Sequence, residues 1–108
     1  GSRILKRLED CTACVCYNDE IAYRLVSLLR NEGKRIPDDL SIVGIDNSSL
    51  ARFCMVPLTS VNNPAEELGR TAAEQMIRCV TGGEPMETIE LKPELVIRQS
   101  VRVVSELS

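Results

Sequence analysis

The sequence predicts an α/β layer built on a parallel sheet, with one further helix set apart from it. Ser41–Ile45 is a short run dominated by β-branched residues, preceded by Pro37-Asp38-Asp39 and closed by Asp46-Asn47. That composition suits a strand covered on both faces, since a half-exposed strand alternates apolar with polar residues. Thr12–Tyr17 is a second such run and also ends in polar groups, Asn18 and Asp19. One amphipathic helix and a turn separate the two runs, which is the size of a right-handed βαβ crossover.

The elements follow in order. Arg3–Glu9 spaces Ile4, Leu5 and Leu8 as a helix does; with no capping residue before it, the stretch reads as the last two turns of a helix, and Gly1-Ser2 has the look of a cloning scar. Asn18 or Asp19 caps a helix running to about Glu32, with Ile21, Ala22, Leu25, Leu28 and Leu29 as its core stripe and Gly33 as its left-handed stop. Tyr23 and Val26 fall off that stripe, toward an exposed flank. Lys34–Asp39 is a turn. Ser48–Val56 is irregular and carries Phe53, Cys54 and Met55, and Pro57–Val61 is a short extended segment.

Asn63-Pro64-Ala65-Glu66 combines an N-cap, a proline at the first helical position and a glutamate at the third. The helix it starts runs to about Thr81 and ends at Gly82-Gly83, with Leu68, Ala72, Met76, Ile77 and Val80 on one face. After a turn at Glu84–Thr88, Glu94–Arg98 and then Val101, Val103 and Val104 read as a late strand or pair of strands.

A chain of 108 residues is one small domain or a piece of a larger protein. Aromatic residues make up only 3% and the net charge is −3, so neither a stacking surface nor a basic patch is available for nucleic acid. No apolar run approaches the roughly 20 residues of a membrane span. Five cysteines is an odd number, which argues against a secreted disulfide framework and for the cytoplasm. Cys11, Cys14 and Cys16 have no histidine to join them, and Cys14 and Cys16 share one face of a strand, where cysteine serves as a small apolar residue; no metal or cofactor is expected. With no phosphate-cradling glycine loop and no paired nucleophile and base, no catalytic constellation is present either.

Chemistry concentrates at the strand ends. In open α/β sheets the ligand crevice lies outside the carboxyl ends of the strands, and two parallel strands bring Asn18 and Asp46 out on the same edge. An amide and a carboxylate there suit hydroxyl groups, because each holds a donor or acceptor in fixed geometry. The neighbours Asp19 and Asn47 are further candidates. Each has a plainer role available: helix capping for Asn18 and Asp19, and a turn for Asp46.

The series Cys16-Tyr17-Asn18-Asp19 with Ala22, Ile36-Pro37-Asp38-Asp39-Leu40-Ser41-Ile42-Val43-Gly44-Ile45-Asp46-Asn47, Pro57-Leu58-Thr59-Ser60-Val61, Leu68-Gly69 with Ala72-Ala73, and Glu94-Leu95-Val96-Ile97-Arg98-Gln99-Ser100 resembles the effector-sensing domain of lac/gal-type transcriptional repressors. The Cys-Tyr-Asn-Asp-Glu-Ile-Ala wording looks most like the arabinose-repressor branch, which carries a winged-helix DNA-binding head. The resemblance implies a two-lobed, periplasmic-binding-protein-like α/β sensor that closes on a small sugar. Residues 3–62 then correspond to a βαβ segment of the C-terminal lobe, 63–82 to a crossover helix of the other lobe, and 83–108 to the return strand and C-terminus.

On that resemblance Asn18 and Asp46 match effector-contacting positions, whereas Asn47 stands where a second aspartate is frequent. Arg98 and Ser100 match the terminal strand, with a structural role or, for Arg98, a place in the cleft. Tyr23, Val26, Phe53, Cys54 and Met55 match a surface that pairs across a two-fold axis in a homodimer. Operator DNA is then met by a separate head and not by these residues. A transport-type sugar-binding protein of the same fold is the alternative, against which the cysteines and the Pro-Asp-Asp-Leu-Ser and Arg-Gln-Ser segments speak.

Overall fold

The computed structural model describes residues 2–104. Gly1 of the expected scar and residues 105–108 of the C-terminus lie outside the described residues. In chain order the elements are α1 (Ser2–Leu8), β1 (Ala13–Val15), α2 (Asp19–Asn31), β2 (Ser41–Ile45), α3 (Ser49–Phe53), β3 (Thr59–Asn62), α4 (Ala65–Gly82) and β4 (Glu94–Val96). The chain divides into two units, one comprising Gly1–Asn62 and Leu95–Ser108 and the other Asn63–Glu94.

The first unit is the α/β layer. Its sheet runs β1-β2-β3-β4, with β1 parallel to β2 from Ala13↔Ser41 to Val15↔Val43 and β2 parallel to β3 from Val43↔Thr59 to Ile45↔Val61. The central strand β2 is the most covered, as its unbroken apolar run requires, and Ile42 is wholly buried. Against it packs α2, whose residues Ala22, Leu25, Val26 and Leu29 are all buried. That spacing of i, i+3, i+4 and i+7 is one helical face. Each large aliphatic side chain so buried contributes about 1.5–3 kcal/mol.

This face corrects two expectations. The buried stripe of α2 is centred one residue later than the periodicity indicates, so Val26, expected at a dimer surface, has no exposure at all, while Ile21, expected in the core, is 47% exposed. Cys54 is also core and not surface. The stretch expected to be irregular contains the five-residue helix α3, whose Ala51 packs inward; Cys54 follows as its C-cap and turns in between two outward residues, Phe53 and Met55.

Of the late strand or pair of strands expected in the C-terminal segment, the described residues form the first. Only Glu94–Val96 forms a strand. Because β2 and β3 pair only from Val43 onward, Ile42 has no β3 partner, and Ser100 takes that place. The Ile42 N–H donates to the Ser100 carbonyl at 2.9 Å; the Ser100 hydroxyl donates to the Ile42 carbonyl and accepts from the Thr59 N–H at 2.9 Å. Arg102 follows, donating from its N–H to Ser41 Oγ at 3.1 Å and from Nε to the carbonyl of Asp38 at 3.0 Å. Main-chain and side-chain hydrogen bonds, and not a second strand, thus hold Ser100 and Arg102.

The second unit is built on α4. Its N-cap is Pro64, one residue after the cap expected at Asn63. The backbone gives the reason: the Ala65 N–H donates to the Asn63 carbonyl at 2.7 Å across Pro64 at φ −76°, ψ 68°, an inverse γ-turn that holds the proline outside the helix. Glu66 and Glu67 still place negative charge on the first turn. The helix stops as expected, with Gly83 left-handed at φ 68°. Its apolar stripe, Leu68, Met76, Ile77 and Val80, is 57–78% exposed. The buried residue is Gln75, which accepts from the Glu87 N–H at 3.2 Å.

Candidate ligand-binding edge

Three parallel strands end on one edge of the sheet, and the segments that leave them carry the polar residues. After β1 the chain runs through Cys16 and Tyr17 to Asn18, which is extended (φ −153°, ψ 175°) and caps α2: its Oδ1 accepts from the Ile21 N–H at 2.9 Å. Capping thus engages the Asn18 side-chain oxygen and not its amide nitrogen. Cys16 is a buried filler; burial, with Cys14 adding to it, pushes its thiol up to about 12. Tyr17 is 82% exposed beside it.

After β2, Asp46 and Asn47 both have positive φ, 107° and 51°. Neither is glycine, so the pair is strained by about 1–3 kcal/mol each and persists only where the surroundings hold it. Three consecutive N–H bonds do so. Asp46 donates to the Val61 carbonyl at 2.8 Å, Asn47 to Ser60 Oγ at 3.0 Å, and Ser48 to Asp19 Oδ2 at 2.6 Å. Asp46 is exposed on this loop. Asn47 is half-buried, and its Oδ1 accepts from Arg98 Nη2 at 2.6 Å. Arg98 is held in turn by the Leu58 carbonyl at 2.7 Å, so its guanidinium ties the loop to the foot of β3.

The four predicted contacts therefore sort unequally. Asn18 and Asp46 stand on one edge. Asn47 stands there too, with its amide oxygen taken by Arg98. Asp19 points inward and is 1% exposed, its carboxylate bonded to Ser48 and Ser60. Ser60, Ser48 and Arg98 are members of this arrangement that spacing alone does not single out. One signal was available: Gly44 lies inside a strand, where glycine marks a close approach, and a Cβ there would overlap the Asp19 carboxylate. The edge presents the exposed Asp46 carboxylate and the half-buried Asn18 amide, groups of the kind that bond hydroxyls. Among the described residues no group of three or more cysteines and carboxylates is placed to hold a metal ion.

The model of the family described as periplasmic binding protein-like domain matches residues 2–101. The chain belongs to that family. Within it, this periplasmic binding protein-like chain is 41% identical over 92 residues to the HTH-type transcriptional repressor PurR of Photobacterium profundum, covering 84% of this chain and 28% of that one. It is 39% identical over 95 residues to the arabinose metabolism transcriptional repressor of Geobacillus stearothermophilus, covering 86% and 26%.

Among solved structures, the complex of the transcriptional regulator CelR with cellobiose superposes with a TM-score of 0.84 at 32% identity, covering 92% of this chain and 31% of that one. A LacI family regulator of Enterococcus faecalis with bound ribose also reaches 0.84, at 33% identity, covering 96% and 39%. The chain thus spans 26–39% of the length of these relatives.

Proposed function

We propose that this chain is the effector-sensing part of a bacterial transcriptional repressor, in which Asn18 and Asp46 contact a small sugar and ligand binding controls a DNA-binding head outside these 108 residues. What carries the proposal is the convergence of the Asn18 amide and the Asp46 carboxylate at one edge of a parallel sheet, in a family whose relatives named above are repressors. Neutral polar groups with one carboxylate match sugar hydroxyls, and the two solved neighbours hold cellobiose and ribose. A transport-type sugar-binding protein of the same fold is the weaker alternative, because the relatives named here regulate transcription.

Asp46 accepts from ligand hydroxyls and Asn18 donates. The chain itself catalyses nothing, needs no cofactor and works in the cytoplasm, and no helix of the described residues is long and apolar enough to cross a membrane. Residues 3–62 and the return strand belong to one lobe, and the helix over 63–82 belongs to the other. Tyr23, Phe53 and Met55, exposed by 38%, 78% and 67%, supply a homodimer surface.

A thermal-shift screen of the full-length protein against pentoses, hexoses, cellobiose and sugar phosphates tests this. A ligand that binds only the folded state stabilises it by about 2.7 kcal/mol at one hundred times its Kd, so at least one sugar should raise Tm. No shift with any of them, in a protein that still binds its operator, contradicts the sugar assignment.

A further inference from the structure

Asp19 lies beside one proposed ligand contact and carries the loop of the other. It opens α2 directly after Asn18, and its carboxylate accepts three hydrogen bonds. Oδ2 receives the Ser48 N–H at 2.6 Å and the Ser48 hydroxyl at 3.0 Å, and Oδ1 receives the Ser60 hydroxyl at 2.6 Å. Ser60 Oγ then accepts the Asn47 N–H at 3.0 Å. Two of the three amides that hold the strained Asp46-Asn47 pair therefore end on Asp19, one directly and one through Ser60. The carboxylate is 1% exposed and seated where Gly44 has no side chain.

We propose that Asp19 is a positioning residue of the sensor: its buried carboxylate fixes the Asp46 loop of β2 against the Asn18 cap of α2, so that the two contacts keep one spacing at the sheet edge. This rests on the assignment of Asn18 and Asp46 to the ligand. A carboxylate is the side chain for the task, since it accepts on both oxygens and meets donors only. The amide of Asp19→Asn keeps one acceptor, which must face the Ser48 N–H; its NH2 then faces Ser60 and the hydroxyl must reorient. The truncation Asp19→Ala removes both acceptors, so the Ser48 N–H loses its partner and Ser60, which accepts the Asn47 N–H, loses its own anchor. Gly44→Ala reaches the same group from β2, displacing the carboxylate without altering it.

Amide hydrogen exchange and calorimetric titration of the full-length protein with ribose, arabinose and cellobiose test this. In Asp19→Ala the Ser48 amide should exchange at least about tenfold faster without ligand, the loss expected when a hydrogen bond to a charged acceptor goes, and the Asn47 amide, which keeps Ser60 as its acceptor, should exchange faster by a smaller factor, while the amides of Cys16 and Ile42 in the sheet keep their rates. Affinity for whichever sugar the wild type binds should fall about tenfold or more, with intermediate values for Asp19→Asn. Gly44→Ala should reproduce the truncation, and adding it to Asp19→Ala should cost little more, because the space is already vacant.

Unchanged exchange at Ser48 and Asn47 overturns the clamp. Faster exchange with undiminished sugar affinity overturns its link to binding. If the wild type takes up none of the three sugars, the wider thermal-shift screen decides the ligand assignment and the exchange rates alone decide the clamp. Should Asp19→Ala not fold, Asp19→Asn and Gly44→Ala carry the same comparison.

Discussion

Single residues decide how the strand ends are held. Ser100, wholly buried, joins Ile42 and Thr59 through one hydroxyl. Ser100→Ala strands a buried donor and a buried acceptor, so chemical denaturation should show a loss of about 1–3 kcal/mol; a neutral change would mean water replaces the hydroxyl at no cost. The Cys16 thiol carries a pH dependence. Its neutral form persists to higher pH in the folded chain, so its contribution is complete below the unfolded value of 9.0 and is lost as pH rises toward about 12. Stability should fall by up to about 1.4 kcal/mol per pH unit over that window. Cys54, also raised by burial, adds to the slope. Urea midpoints from pH 8 to 10.5 should show a shallower decline in Cys16→Val than in the wild type, and equal declines would remove Cys16 as the cause.

Among these residues Asp46 and Asn18 were legible, because a polar group at the end of an apolar run is a local pattern. Ser60 was not, and Ser100 was marked only by the family resemblance. Their partners lie 41 and 58 positions away, and no local rule marks which serine in a strand is buried.

Elements were legible where their signal is long. The run Ser41–Ile45 and the α2 amphipathy translate directly into a covered strand and its crossover helix. The phase of α2 was not, since a shift of one residue changes which side chains are inside while the period stays the same. That shift separates two variants. Val26→Asp places a charge in the core and should unfold the protein, whereas Tyr23→Asp, on the 38% exposed flank, should leave it folded and monomeric in equilibrium sedimentation of the full-length chain. A folded Val26→Asp, or an undiminished Tyr23→Asp dimer, would contradict this assignment. The helix α3 was missed because five residues are too few for a periodicity, and the Asn63 cap was displaced by a turn that its residue types do not distinguish.

At the scale of the molecule, α4 carries an exposed apolar stripe. Leu68, Met76, Ile77 and Val80 are exposed in a unit whose one buried helical side chain is polar. Burying such side chains is worth about 1.5–3 kcal/mol each, so the 108-residue chain alone should associate through this helix. Light scattering at high concentration should give a mass above 12.0 kDa; a stable 12.0 kDa species with full helicity would mean that the helix is satisfied within one copy.

The full-length protein, by contrast, should close a sugar against the Asn18–Asp46 edge. Calorimetric titration of full-length Asp46→Ala with the sugar that stabilises the wild type tests this most directly. A hydrogen bond to a charged group is worth about 1.5–3 kcal/mol, so the account predicts binding weakened by roughly tenfold or more, with operator affinity in the absence of sugar unchanged. Wild-type sugar affinity in Asp46→Ala would contradict it.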